Sequence, residues 1–277
     1  MNNYIFKNGD LHILNPENFD LAMTLDCGQA FRFKQSRDGS WTGVAGGRIL
    51  DLFQDENEII IRNMGKDEFE GRFKDYFDLS RDYKKIIDDI SDNEILASAS
   101  EFGKGIRILN QEPFETLCSF IISQNNNIPR IKGIIERLTK KYGKRLSDEY
   151  YDFPASDTLA RLNVEDLSDI RMGFRAKYII DAAQKVYSGE VDLKSLYEKD
   201  YETAKSELMK IKGVGPKVAD CTLLFSLKHF SAFPTDVWIK RAMATLFPDG
   251  LPEKYKQYGG IIQQYIFYYA RSGNIDV

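Results

Sequence analysis

The chain has 277 residues, a net charge of −4 and 29% charged side chains, enough for one large core or two smaller ones. No run of about 18 apolar residues is present, and Met1–Lys7 lacks the basic-then-apolar layout of a secretion signal, so neither a membrane span nor export is predicted. Three widely spaced cysteines (Cys27, Cys118, Cys221) and two histidines (His12, His229) fit a reducing, intracellular setting and exclude a four-cysteine zinc or iron–sulfur site.

Up to about residue 65, short β-like runs alternate with turn signals. Ala30–Lys34, Trp41–Ala45, Arg48–Phe53 and Glu58–Arg62 are separated by Asp38-Gly39, Gly46-Gly47 and Asp55-Glu56-Asn57. Asp-Gly and Gly-Gly between alternating runs favour hairpins, so an antiparallel meander is expected. From about Lys66 the texture turns helical and remains so. Pro113 opens a helix carrying Phe114, Leu117, Phe120 and Ile121; Pro129 opens another that ends near Gly143. Ala176–Tyr187, Thr203–Ile211, Pro216–Leu227, Asp236–Leu246 and Lys256–Tyr269 complete the expected helices. A β-rich N-terminal domain (1–103) and a helical domain (104–277) are predicted, the last helices packing back on earlier ones. The basic run Arg130, Lys132, Arg137, Lys140, Lys141, Lys144 and Arg145, broken only by Glu136, suits either a phosphate track or a solvated helix face.

The segment Leu208–Cys221 sets Gly213 and Gly215 in a tight hairpin and Lys217 in the first turn of the following helix. Glycine permits positive φ and a close approach to a phosphate, and a helix start offers unpaired N–H groups to an anion. That positive end disfavours a second positive charge, so Lys217 is expected to act as a neutral amine nucleophile able to form a Schiff base. Cys221 lies one turn further along the same face. Asp236, before Val237-Trp238-Ile239, suits a helix N-cap and is fixed near the lysine if the two helices converge. Taken singly, Lys217 reads as an exposed lysine and Asp236 as a simple cap; together with the glycine hairpin they point to a catalytic pair.

Here the chain resembles the helix-hairpin-helix DNA glycosylases, and among them the 8-oxoguanine glycosylases of eukaryotic type. Gly105–Glu115 running into Ser119–Ile131, Met172–Tyr178, and Cys27–Arg32 carry the resemblance together with the hairpin, in family order, over about residues 10–272. The fold it implies is α+β: a TBP-like antiparallel sheet domain followed by an all-α helix-hairpin-helix domain, with the hairpin at about 208–221. The activity it implies is excision of 8-oxoguanine from duplex DNA through a lysine Schiff base, followed by β-elimination. A glycosylase for another damaged base and a non-catalytic DNA-binding module are the alternatives. The latter has no reason to pair Lys217 with Asp236.

The resemblance also implies residue roles. Lys217 attacks C1′ and Asp236 stabilises positive charge as the glycosidic bond breaks. Gly28, Cys221, Gln263 and Phe267 hold the everted base: the Gly28 carbonyl meets N7–H, Gln263 reads the Watson–Crick edge, and Cys221 and Phe267 cover its two faces. Asn125, Arg130 and Arg175 hold the widowed cytosine, Phe174 enters the duplex as a wedge, and Gly213 and Gly215 face phosphate. Trp238 stands where the family has a phosphate-contacting histidine, and Lys212 replaces the usual hairpin proline. No cofactor is implied; a structural monovalent cation could sit at the carbonyls of Met209, Ile211 and Val214. Double-stranded DNA containing 8-oxoguanine is the expected partner of an intracellular monomer, in the nucleoid of a bacterium or the nucleus of a eukaryote.

Overall fold

Asn8 and Gly9 both take positive φ (54° and 87°), the geometry of a two-residue hairpin loop, and turn β1 (Asn3–Lys7) onto β2 (Asp10–Leu14). The structure, a computed structural model, describes residues 3–273. Gly46 and Gly47 do the same between β4 (Trp41–Ala45) and β5 (Arg48–Gln54). With β3 (Phe33–Gln35) and β6 (Glu58–Ile61) these strands form one antiparallel sheet in the order β1-β2-β6-β5-β4-β3. The four expected runs are β3 to β6. The β1–β2 hairpin was not expected: its exposed Ile5 and Phe6 blur the alternation that marks a half-buried strand.

Side chains two apart share a sheet face, so Leu11 and Ile13, Leu50 and Leu52, and Ile59 and Ile61 all point one way and are essentially inaccessible. They pack on Phe69, Phe73 and Phe77 as one core. A second, larger core joins the helices. The expected boundary at 103/104 cuts across this packing. Helices Tyr83–Ile90 and Glu94–Gly103 lie in the helical core, the second against the C-terminal helix Gly259–Arg271. The return of that last helix onto an earlier one is as expected. No helix among the described residues is long and apolar enough to cross a membrane.

Buried polar groups knit the two cores. The Gln29 amide donates to the carbonyls of Thr24 (2.9 Å) and Arg107 (2.7 Å) and accepts from Leu109 N (2.9 Å). This pins the Cys27-Gly28 loop to the segment entering the helical domain. Nearby, Arg32 pairs with Glu115 at 3.3 Å on helix Pro113–Ser123, both side chains being largely buried, and also donates to the Tyr151 carbonyl. Burial is the main force on Glu115, raising its pKa from 4.5 to about 7; Arg32 opposes this, while Glu112 and Asp152 add to it.

A carboxyl with a raised folded-state pKa binds its proton more tightly folded than unfolded. Its contribution to stability is therefore full below about pH 4.5 and is lost as pH rises through about 7. The span corresponds to roughly 3 kcal/mol at most. Denaturant titrations at pH 5 and pH 8 should show Glu115→Gln flattening this decline relative to the wild type. Identical pH dependence in the two proteins would refute it.

Candidate active site

The hairpin is fastened below its loop. Asp220, buried on the lysine helix (Pro216–Ser226), accepts from the Tyr201 hydroxyl at 2.8 Å and pairs with Lys205 at 2.9 Å; both partners lie on helix Tyr201–Leu208. Burial raises the Asp220 pKa and Lys205 counters it. Above this staple, Gly213 turns the chain with φ +80°, and a Cβ there would stand 2.4 Å from the Tyr178 ring. Only glycine fits. Gly215 differs: its φ of −96° suits any residue, and an added Cβ would meet nothing within 4 Å. The fold leaves this helix start uncapped by any side chain, so its leading N–H groups are open to an anion.

Lys217 extends from that helix start into a cavity of about 50 Å³. Its Nζ lies 3.4 Å from Ser123 Oγ and 5.0 Å from the Phe120 ring centre. The Ser123 hydroxyl donates to the Phe120 carbonyl (2.8 Å), so its oxygen is free to accept from the amine. Asp236 lines the same cavity and caps helix Val237–Leu246, taking the Ile239 N–H at 2.8 Å on one oxygen. Its other oxygen has no hydrogen-bond partner among the described residues. Cys221 registers both charges. Burial pushes its thiol up to about 11, Lys217 beside it draws it down, and Asp236 adds a smaller upward push. The thiol is therefore neutral near pH 7 and offers packing surface.

The opposite wall belongs to the glutamine helix, Gly259–Arg271. Gln263 and Gln264 are both buried, and the side-chain carbonyl oxygen of each lacks a partner. Phe267, half-buried, completes this wall. Gly28, at φ +89°, faces it: a Cβ there would lie 3.9 Å from the Phe267 ring. Lys217, Cys221, Asp236, Gln263, Phe267 and Gly28 thus line one cavity. Phe120 and Gln264 also line it, and Ser123 contacts the lysine amine, without having been expected at the site. The signal for Gln264 was a second polar residue inside Ile261-Ile262-Gln263-Gln264-Tyr265-Ile266.

The remaining expected residues lie outside this cavity. Arg175 is buried, with its guanidinium donating to the carbonyls of Gln124 (2.9 Å), Asn125 (2.9 Å) and Met172 (3.2 Å). A second bond to Gln124 leaves one of its five N–H donors uncommitted. Burial, and then the nearby Arg130, lower its pKa. Arg175 thus braces the loop that holds Asn125 in a left-handed conformation (φ 48°). Asn125 and Arg130 are exposed on that loop and the helix it starts. Phe174 is 51% exposed, its ring edge-on to Tyr178 at 5.9 Å and under the Arg175 guanidinium at 4.5 Å.

Much of the basic run serves local contacts. Lys132 pairs with Asp26 (3.1 Å), Lys141 with Asp169 (2.8 Å) and Arg145 with Asp148, while Arg137 donates to the Ile170 carbonyl. The solvated-face reading fits most of it. Lys212 is drawn towards Asp181 at 3.6 Å, and Trp238 is 46% exposed beside Asp236. The Ile211 carbonyl accepts the Val214 N–H at 3.0 Å, leaving it one lone pair for a cation at Met209, Ile211 and Val214.

A lysine behind a glycine hairpin and a capped carboxylate, meeting at a cavity walled by amides and an aromatic ring, define a helix-hairpin-helix base-excision site. Comparison with known proteins agrees. The 8-oxoguanine DNA glycosylase N-terminal domain matches residues 12–117, and the HhH-GPD superfamily of base excision DNA repair proteins matches residues 118–258. An N-glycosylase/DNA lyase of Saccharomyces cerevisiae is 34% identical over 264 residues, covering 85% of this chain and 70% of its own. The 8-oxoguanine glycosylase/lyase of Clostridium acetobutylicum, solved with double-stranded DNA bearing cytosine opposite 8-oxoG, superposes with a TM-score of 0.92 at 40% identity, covering 99% of each chain. MBOgg1, solved with a low-affinity DNA ligand, gives 0.93 at 42% identity and covers 99% of this chain and 100% of its own. The chain belongs to the 8-oxoguanine DNA glycosylase family of the HhH-GPD superfamily.

The two hairpin glycines should separate stability from binding. Gly213→Ala is expected to destabilise the fold by roughly 1–3 kcal/mol through strain and the Tyr178 clash. Gly215→Ala should leave the melting temperature nearly unchanged but weaken duplex binding in a fluorescence-anisotropy titration. Equal affinity in Gly215→Ala and wild type would show that this backbone does not approach DNA.

Proposed function

We propose that this protein is a bifunctional DNA repair enzyme that excises 8-oxoguanine from duplex DNA and then cuts the strand. The observation that carries the reading is the convergence of Lys217 and Asp236, from two different helices, on the cavity walled by Gln263 and Phe267. In this mechanism the lesion nucleotide is everted from the stack, at a cost of a few kcal/mol. The Lys217 amine attacks C1′; its lone pair forms the new C–N bond while the glycosidic pair leaves with the base, which takes up a proton. Asp236, held by its helix cap, stabilises the positive charge that develops on the sugar without having to move. The furanose ring then opens: the C1′–O4′ bond breaks, O4′ takes up a proton, and the nitrogen lone pair forms a C1′=N imine that acidifies C2′–H. Loss of that proton expels the 3′ phosphate and breaks the strand.

In the base pocket, the Gly28 carbonyl accepts the N7–H that oxidation creates, and Gln263 bonds the Watson–Crick edge. Phe267 and Cys221 cover the two faces. On the other strand, Asn125, Arg130 and the remaining donor of Arg175 hold the orphaned cytosine, with Phe174 filling the gap. The exposed guanidinium of Arg130 supports a preference for cytosine opposite the lesion. Repair of a single nucleotide requires one copy of the chain.

Borohydride should trap a covalent complex with an 8-oxoguanine duplex. Lys217→Gln is expected to abolish trapping and strand cleavage while retaining duplex binding; trapping at the wild-type rate by this variant would displace the lysine as nucleophile. Asp236→Asn should slow single-turnover base release by roughly a hundredfold with little change in lesion affinity.

A further inference from the structure

Helix Gly259–Arg271 carries two consecutive glutamines in an otherwise apolar run, and both are buried: Gln263 is 5% exposed and Gln264 3%. Adjacent helical residues are about 100° apart, so one of such a pair ordinarily faces away from a site its neighbour serves. Here both line the cavity that holds Lys217 and Asp236. Gln264 also lies three residues before Phe267, a spacing that shares a helix face, and so borders the Phe267 wall. Its side-chain carbonyl oxygen is shut from solvent and accepts no hydrogen bond. Its amide nitrogen makes none to any described residue. The fold therefore makes no use of this amide, although an orphaned buried acceptor carries a desolvation cost that an apolar side chain of the same size would avoid.

A ligand that brings donors resolves this cost. The Watson–Crick edge of a guanine-type base carries N1–H and a two-proton 2-amino group, more donors than one glutamine carbonyl accepts. We infer that Gln264 is a second specificity-determining residue, whose amide takes a proton of the 2-amino group while Gln263 engages the adjoining part of that edge. The inference rests on the proposed function. Two buried acceptors side by side match a donor-rich edge. A base lacking the 2-amino group leaves the second acceptor unpaired, which is how a buried polar group discriminates most strongly.

The test compares two duplexes differing only at that group, one with 8-oxoguanine and one with 8-oxohypoxanthine, each opposite cytosine. Single-turnover excision by the full-length protein is measured for wild type and for Gln264→Leu. The variant should be slowed about tenfold, the equivalent of roughly 1.4 kcal/mol, on 8-oxoguanine and less than about twofold on 8-oxohypoxanthine. Gln264→Met, an unbranched apolar replacement, should repeat this contrast if the leucine variant folds poorly. Equal slowing on both duplexes would assign Gln264 a merely structural role, and no slowing on either would remove it from the pocket. A wild-type protein that leaves 8-oxoguanine in place would instead overturn the function on which the inference rests.

Discussion

Everything at this site depends on how closely two helices approach. At Gly260 the glutamine helix lies so near the lysine helix that a Cβ would stand 2.2 Å from a methyl of Leu224 and 2.9 Å from the Ala232 carbonyl. Any side chain there would push the helices apart by more than a packed core tolerates. The contact sits one turn before Gln263 and Gln264. It fixes the distance between the amide wall and the wall bearing Lys217 and Cys221. The sheet domain closes the third side through the Gln29 clasp, which holds Gly28 opposite Phe267. Rigid elements thus supply the walls, and the loops between them reach outward.

The site is also built from groups kept deliberately under-bonded by their surroundings. One oxygen of Asp236 is used by its helix cap and the other is left over. The side-chain carbonyl oxygens of Gln263 and Gln264 are buried without a donor, and the lysine amine makes a long 3.4 Å contact to Ser123 Oγ. Asp220, Gln29 and most of Arg175, which hold the scaffold, are by contrast well bonded. The contrast separates the groups that hold the scaffold from the groups available for chemistry. It also explains why Arg175, expected to read a base, mainly shapes the loop that presents Asn125 and Arg130.

What the sequence made legible was local. The Asp236 cap is a bond spanning three residues, Lys217 and Cys221 are one helical turn apart, and Gly46-Gly47 encodes its own turn; each can be read without knowing the rest of the chain. The meander and seven of the helices follow from the same short-range rules; Tyr83–Ile90 and Glu94–Gly103 were not picked out one by one. What escaped depends on contacts across long separations. Ser123 meets Lys217 from 94 positions away, and Arg32 bridges 83 positions to Glu115. The grouping of buried residues into two cores is long-range in the same way: helices Tyr83–Ile90 and Glu94–Gly103 join the larger core, and the C-terminal helix returns to cover the second. The individual roles of the site residues came from family resemblance, and the geometry adds which of them share a cavity.

The size of that cavity bears on selectivity. At about 50 Å³ it has room for one or two waters, whose share of liquid volume is about 30 Å³ each, and not for a purine. On the proposed reading a base enters as the walls part, the half-buried Phe267 among them. Parting them sacrifices packing, a cost every incoming base meets alike. The return differs between bases. In the proposed mechanism, a lesion that satisfies the acceptors of Gln263, Gln264 and Gly28 recovers the cost of desolvating them. On the same proposal, a normal guanine, lacking N7–H, leaves the Gly28 carbonyl unpaired. Discrimination in that mechanism comes from a pattern of buried acceptors that one base completes, rather than from the strength of any single bond.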